Sequence, residues 1–137
     1  MSDVVLHDAL RICEFLRPID LFKALTPQQL SDVAEHVKKR HFAPGETIVR
    51  EGEPGEEFFV ISDGEVEVIR ADHEVARLGP GDFFGEVSLI SGEPRNATVV
   101  AEGDVDTYVL GKTDFETALA SSRSFRDQLH RIYFMRH

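Results

Sequence analysis

Glu57-Phe58-Phe59-Val60-Ile61-Ser62-Asp63-Gly64-Glu65-Val66-Glu67-Val68-Ile69-Arg70-Ala71 decides how the rest of the chain is read. Two short runs, Glu57–Ser62 and Glu65–Ala71, are rich in Val, Ile and Phe and are parted by Asp63-Gly64. From Glu65 to Val68 acidic and apolar residues alternate, the period of a half-buried strand. The same texture extends outward on both sides. Thr47–Glu51, Glu74–Leu78, Thr98–Glu102 and Thr107–Leu110 are also short and rich in Val, Ile and Tyr. Pro44-Gly45, Glu53-Pro54-Gly55, Gly79-Pro80-Gly81 and Gly103-Asp104 punctuate them with turn chemistry. Many short strands at this spacing, from His41 to Lys112, predict an antiparallel β-roll of the jelly-roll kind. The segments share spacing but no sequence repeat, which argues against a solenoid. Only Phe83–Gly92 departs from the pattern, and it is read as one short helix between strands.

Helices are expected on either side of the roll. Leu6, Ala9, Leu10, Cys13 and Leu16 follow helical spacing until Pro18 stops the run, with Ile12 and Phe15 off that stripe. A second helix starts with Thr26 as cap, Pro27 in the first turn and Gln29 completing a capping box; Leu30, Val33, Ala34 and Val37 form its apolar stripe. Beyond the strands, Thr113 and Glu116 read as another capping box. A last helix opens near Ser122 or Ser124, with Phe125, Leu129, Ile132 and Tyr133 along one side. The fold class is therefore mainly β with flanking α-helices. We expect a single domain over residues 1–137, with N-terminal helices in 1–40, the roll in 41–112 and C-terminal helices in 113–137.

Composition narrows the function. With 42% hydrophobic residues in a chain of 137, a core can be buried. A net charge of −10 repels a polyanion, and no Lys/Arg stripe offsets it, so nucleic-acid binding is not expected. A small, singly charged anion can still be held by local donors. The one cysteine, Cys13, excludes an internal disulfide framework and a Cys-based zinc site, and fits a cytoplasmic setting. No run approaches the ~18 apolar residues of a membrane span, so direct membrane insertion is not expected either. The six histidines offer no pair at metal-ligand spacing, and the acidic stretch Glu51–Glu57 lacks the oxygen spacing of a calcium loop.

The chemistry is concentrated between Gly85 and Val99. A glycine that opens a short helix lets a ligand approach the backbone, and the first-turn N–H groups there are unsatisfied donors. Arg95 supplies a permanent positive charge and a planar fork of donors suited to phosphate. Glu86 only accepts hydrogen bonds when ionised, so it suits a sugar hydroxyl rather than phosphate. Pro94 fixes the approach to Arg95, and the small Ala97 leaves room beside it. These residues suggest a sugar-phosphate site. Taken alone they also allow a structural ion pair between Glu86 and Arg95.

Phe84-Gly85-Glu86-Val87-Ser88-Leu89-Ile90 followed by Pro94-Arg95-Asn96-Ala97-Thr98-Val99 resembles the phosphate-binding cassette of cyclic-nucleotide-binding domains. Phe42-Ala43-Pro44-Gly45-Glu46, Arg50-Glu51-Gly52-Glu53-Pro54-Gly55, Phe59-Val60-Ile61-Ser62-Asp63-Gly64 and Gly79-Pro80-Gly81-Asp82 extend the resemblance over nearly the whole chain. The resemblance implies a non-catalytic sensor of cyclic AMP, favoured over cyclic GMP, with no further cofactor and no metal. It assigns Glu86 to the ribose 2′-OH and Arg95 to the cyclic phosphate, with Gly85, Val87, Ser88, Asn96 and Ala97 lining the ligand. It further implies that the apolar face of the last helix covers the base and that helix movement relays binding to a partner. Ser88 stands where the kinase subunits commonly carry alanine. Asn96 is neither the Thr or Ser common in cyclic-GMP-selective relatives nor the small residue of many cyclic-AMP binders, which leaves base selectivity open.

Three other function classes would each require a feature of their own. A catabolite-activator-like transcription factor would need a helix-turn-helix after the roll, and none is read before His137. A cupin-like metalloenzyme would need clustered His and Glu ligands. A cyclic-nucleotide hydrolase would need a metal cluster or an activated nucleophile. The remaining expectation concerns partners. A parent channel, a transporter, an effector domain or a second copy of this chain could each engage the terminal helices, which would make the chain the cytosolic part of a membrane protein in some of these cases.

Overall fold

The structure, a computed structural model, describes residues 3–136, apart from the side chains of residues 3–7, 87, 90, 119 and 132–136. Contacts divide the chain into two compact units: Lys38–Lys112 forms one, and the helices before and after it form the other.

The first unit is the β-roll. Its strands are β1 (Lys38–Phe42), β2 (Thr47–Val49), β3 (Glu57–Asp63), β4 (Val66–Arg70), β5 (His73–Leu78), β6 (Phe83–Phe84), β7 (Thr98–Ala101) and β8 (Val105–Gly111), with the short helix α1 (Glu86–Ser91) between β6 and β7. They make two four-stranded sheets, ordered β1-β8-β3-β6 and β2-β7-β4-β5. Every pairing is antiparallel. Both sheets feed one core of Phe42, Phe59, Ile61, Val66, Phe84, Val99, Ala101, Val105 and Val109. Phe59 and Phe84 stack within it, with centroids 4.9 Å apart and rings 10° from parallel. Phe58 points to the opposite face of β3, where it meets Phe83 at 5.4 Å. Phe58 through Ile61 are all buried, so this strand reads as a continuous apolar run rather than an alternating one.

Glu57–Ala71 does not close a hairpin. β3 pairs with β6 and β8, whereas β4 pairs with β5 and β7, so Asp63-Gly64 carries the chain from one sheet to the other. Gly64 turns at φ 88°, and a Cβ there would run into the Asp104 carbonyl and lie 3.0 Å from Val105 Cα. The crossover therefore needs both a left-handed residue and one without a side chain.

In the second unit, helix α2 (Asp3–Leu16) precedes a 3-10 turn (Phe22–Ala24) and helix α3 (Pro27–His36). Two more helices, α4 (Lys112–Ser121, its first residue the last of the roll) and α5 (Arg123–Arg136), follow the roll. The Thr26 capping box is present in full: Thr26 Oγ1 accepts from Gln29 N at 3.2 Å, and Gln29 Oε1 from Thr26 N at 2.9 Å. Ser122 caps α5 by accepting from Phe125 N at 3.1 Å.

Several expectations are corrected here. Phe83-Phe84 is strand, not helix; stacking on Phe59 keeps it extended, and the helix begins only at Glu86. The roll begins at Lys38 rather than His41, because Lys38-Lys39-Arg40 pairs as strand without apolar alternation; of the residues of β1 only Phe42 is buried. Thr113 is not a cap, since α4 starts at Lys112 directly out of β8. In α2 the buried stripe is Ile12 and Leu16, while Leu10 is 54% exposed and Cys13 is half-buried, its thiol 3.9 Å from the Leu30 carbonyl.

The Gly64 crossover can be tested against Gly45, which turns at φ 81° but whose Cβ would meet nothing within 4 Å. Gly45→Ala should cost about 1 kcal/mol for the left-handed backbone alone. Gly64→Ala should cost roughly 2 kcal/mol more, because backbone rather than a flexible side chain must move. Urea denaturation of the two variants checks this, and equal losses would contradict it.

Candidate functional site

The site is built entirely within the β unit. At the end of β6 the chain turns through Gly85 at φ 96°, in the left-handed region, and enters α1. A Cβ on Gly85 would lie 2.6 Å from the Glu57 carbonyl oxygen and 3.0 Å from Arg95 Nη1. Glycine lets this turn sit flush against the start of β3. α1 ends at Gly92, also left-handed at φ 73°, whose N–H donates to the Ser88 carbonyl at 3.0 Å. The chain then returns through Pro94 to Arg95. Arg95 N donates to the Glu53 carbonyl and its carbonyl accepts from Gly52 N, both at 2.8 Å, so the backbone is bracketed by the 51–55 loop.

The Arg95 side chain is held with equal care. Nη1 donates to the Gly85 carbonyl and Nη2 to the Glu57 carbonyl, each at 3.0 Å. The residue is only 8% exposed. Gly55 lies against the guanidinium so closely that a Cβ there would run into Cζ and Nε. Burial pulls the Arg95 pKa down from its ordinary value, against the fields of Glu57 and then Glu86, which hold it up. Among the described residues no carboxylate makes an ion pair with it; Glu57 itself is paired with Arg40 at 3.1 Å. An arginine stays charged at neutral pH, so this is a buried cation whose near bonds go to neutral carbonyls. Buried charges ordinarily find a counter-charge. The remaining N–H groups of the guanidinium make the position suited to a small anion.

Gly85, Glu86, Ser88, Arg95, Asn96 and Ala97 thus fall on one segment folded back on itself through the contact of Arg95 with Gly85. Glu86, at the first turn of α1, is 2% exposed, and Ser88 and Ala97 are buried. The Asn96 carbonyl accepts from Arg70 Nε at 3.1 Å. The side chain of Val87 lies outside the described residues. Glu86 lies near enough for its field to help hold the Arg95 charge. Sequence reading missed Gly55, counted there as a turn residue, and the Glu57 carbonyl. Nothing local in the sequence marks a glycine chosen to clear a distant side chain.

Two other groupings of side chains involve different elements. Phe125, expected on a face covering the base, packs in the helical unit against Phe22 at 6.0 Å and Phe115 at 6.3 Å. The side chains of Ile132 and Tyr133 lie outside the described residues. Glu67, Glu74 and Glu102 bring carboxylates together, and Arg77 sits among them, 2.6 Å from Glu74 and 3.2 Å from Glu102.

Comparison with known proteins gives a consistent result. The sequence model of the cyclic nucleotide-binding domain matches residues 39–122. A cAMP-dependent protein kinase regulatory subunit of Colletotrichum orbiculare is 38% identical over 108 residues, covering 77% of this chain and 28% of that one. A cyclic nucleotide-gated potassium channel of Rhizobium etli is 35% identical over 130 residues, covering 95% of this chain and 36% of that one. The chain spans about a quarter to a third of the length of these curated relatives. Among solved structures, the regulatory domain of Toxoplasma gondii PKA in co-crystal with cAMP superposes with a TM-score of 0.90 at 26% identity, covering 98% of this chain and 53% of that one. The regulatory subunit of a cAMP-independent protein kinase A from Trypanosoma cruzi, bound to guanosine, superposes at 0.86 with 28% identity, covering 94% and 47%. With more than half of its length matched by the family's own model and the β-roll in place, the chain belongs to the cyclic nucleotide-binding domain family.

Proposed function

We propose that this chain is a non-catalytic sensor that binds a 3′,5′-cyclic nucleotide, cyclic AMP in preference to cyclic GMP, at Gly85–Ala97. The observation that carries the reading is Arg95: a buried guanidinium, steered by two carbonyls, with no ion pair among the described residues. A cyclic phosphate brings one negative charge and two exocyclic oxygens, which suit one arginine. A linear monophosphate brings more charge than this site is built to balance. Glu86, buried at the first turn of α1, takes the ribose 2′-OH, which is a donor to its acceptor. Gly85, Val87, Ser88, Asn96 and Ala97 line the phosphate and sugar. The preference for cyclic AMP is supported by the kinase relatives named for it and by the Toxoplasma complex. No cofactor or metal enters this scheme.

The chain's role in a larger assembly belongs to the same proposal. Its relatives include regulatory subunits and a channel, so ligand binding in the roll is relayed through the helices to a catalytic subunit, a channel or another effector. No described helix is long and apolar enough to cross a membrane. We place the domain on the cytoplasmic side, alone or as part of a membrane protein. A second copy of the chain is a further candidate partner.

Three variants separate the parts of the site, each read by calorimetry with cyclic AMP. Arg95→Ala should weaken binding roughly 30-fold to a few thousand-fold, about 2–5 kcal/mol. Gly55→Ala should weaken it at least about tenfold while leaving the melting temperature nearly unchanged, because the far end of Arg95 can swing aside without disturbing the fold. Glu86→Ala should abolish discrimination against the 2′-deoxy analogue. Wild-type affinity in Arg95→Ala, or unaltered 2′-deoxy discrimination in Glu86→Ala, would overturn the corresponding assignment.

The relay is tested by amide hydrogen exchange. Cyclic nucleotide should slow exchange in residues 85–99 and also in residues 125–134 of α5. Protection confined to 85–99 would make α5 a bystander.

A further inference from the structure

Glu57 supports the site with its backbone and can compete with it through its side chain. Its carbonyl accepts from Arg95 Nη2 at 3.0 Å. Following the bonds from that oxygen back to the Cα puts Nη2 within about 5.5 Å of Glu57 Cα. A glutamate carboxylate covers that span and can close on the guanidinium. An anionic ligand and the Glu57 carboxylate would then call on the same N–H donors. Burial pulls the Arg95 pKa down, and of the carboxylate fields that oppose it, that of Glu57 is stronger than that of Glu86. The two charges already act on one another at the start of β3.

Arg40 holds that carboxylate elsewhere. Its Nη1 donates to Glu57 Oε1 at 3.1 Å. β1 and β3 lie on either side of β8, so Arg40 reaches over the intervening strand to make this contact. Arg40 is itself fixed at two points. Its carbonyl accepts from Thr107 Oγ1 at 2.9 Å, opposite it in the β1–β8 register. Its guanidinium stands 5.9 Å from the centre of the Phe42 ring, two residues along the strand. As a contribution to stability the ion pair is minor, since its side chains are 47% and 40% exposed and exposed pairs are weak. Its consequence is directional: it decides which arginine the Glu57 carboxylate answers.

We infer that Arg40 is a positioning residue that keeps the Glu57 carboxylate off Arg95, so that Arg95 stays open to an anionic ligand. Without Arg40, Glu57 turns to Arg95 and occupies the anion position from within. Arg40 itself makes no contact with the ligand. This rests on the cyclic-nucleotide reading above.

A double-mutant cycle in the full chain tests it, with calorimetry against cyclic AMP on wild type, Arg40→Gln, Glu57→Gln and the double variant. Arg40→Gln should weaken binding roughly fivefold, and Glu57→Gln should tighten it about twofold by removing the competing charge. In the Glu57→Gln background, Arg40→Gln should change affinity by less than about twofold, because no carboxylate is left to release. Arg40→Lys keeps a cation beside Glu57 and should stay within about twofold of wild type. Each variant should melt within about 2 °C of wild type, as loss of an exposed pair requires. Unchanged affinity in Arg40→Gln overturns the inference. So does an equal loss in both backgrounds, which would mean that only a positive charge, or the integrity of β1, had been removed. A wild-type chain that binds no cyclic nucleotide overturns the functional reading as well, whereas wild-type binding with an indifferent Arg40→Gln overturns the role of Arg40 alone.

Discussion

A guanidinium held between the carbonyls of Gly85 and Glu57 is the contact on which the site depends. Those carbonyls belong to different elements, one at the turn into α1 and one at the start of β3. The arginine that bridges them arrives from a third, the loop before β7. Its backbone is bracketed in turn by Glu53 and Gly52. Neutral carbonyls orient a cation without cancelling its charge. The roll thereby stores a directed positive charge under low exposure, where electrostatic attraction is stronger than in water. The chain carries a net charge of −10, so the attraction for an anion is local to this segment and not a property of the whole surface.

Close packing of backbone makes that arrangement possible. Gly85 brings its turn against the Glu57 carbonyl, and Gly55 clears the volume that the guanidinium fills. Gly64 does comparable work away from the site, where the chain crosses between sheets beside Asp104 and Val105. The aromatic stack of Phe59 on Phe84 ties the two ends together: it seals the core and also ends at the residue before Gly85. Losing one of these rings would cost about 3–5 kcal/mol and would loosen the turn that positions Arg95. Core and site are therefore coupled through two adjacent residues, Phe84 and Gly85.

Much of this was legible in the residues themselves. The antiparallel roll and the flanking helices follow from strand texture, glycine turns and the resemblance those residues carry, and the segment from Gly85 to Ala97 stands out by its Gly, Glu and Arg. What escaped depended on partners far away in sequence. Phe83-Phe84 has no strand signature of its own; it is extended because Phe59 and Val60 pair with it. Lys38-Lys39-Arg40 is strand because β8 offers an edge, not because of its pattern. Gly55 is indistinguishable locally from any turn glycine, and only the folded path of Arg95 gives it a purpose. Ile12 rather than Leu10 is buried because the adjacent elements, not the helical period alone, select the inward face.

The charge of the ligand is the central claim, and comparing a cyclic nucleotide with its parent nucleoside tests it most directly. Calorimetric titration of the wild-type chain with cyclic AMP and with adenosine isolates the contribution of the phosphate, since the base and most of the sugar are common to both. If Arg95 is a buried cation completed by phosphate, cyclic AMP should bind at least about 30-fold more tightly, equivalent to about 2 kcal/mol. Adenosine or guanosine binding as tightly as the cyclic nucleotide would contradict the account and point instead to a nucleoside-binding domain.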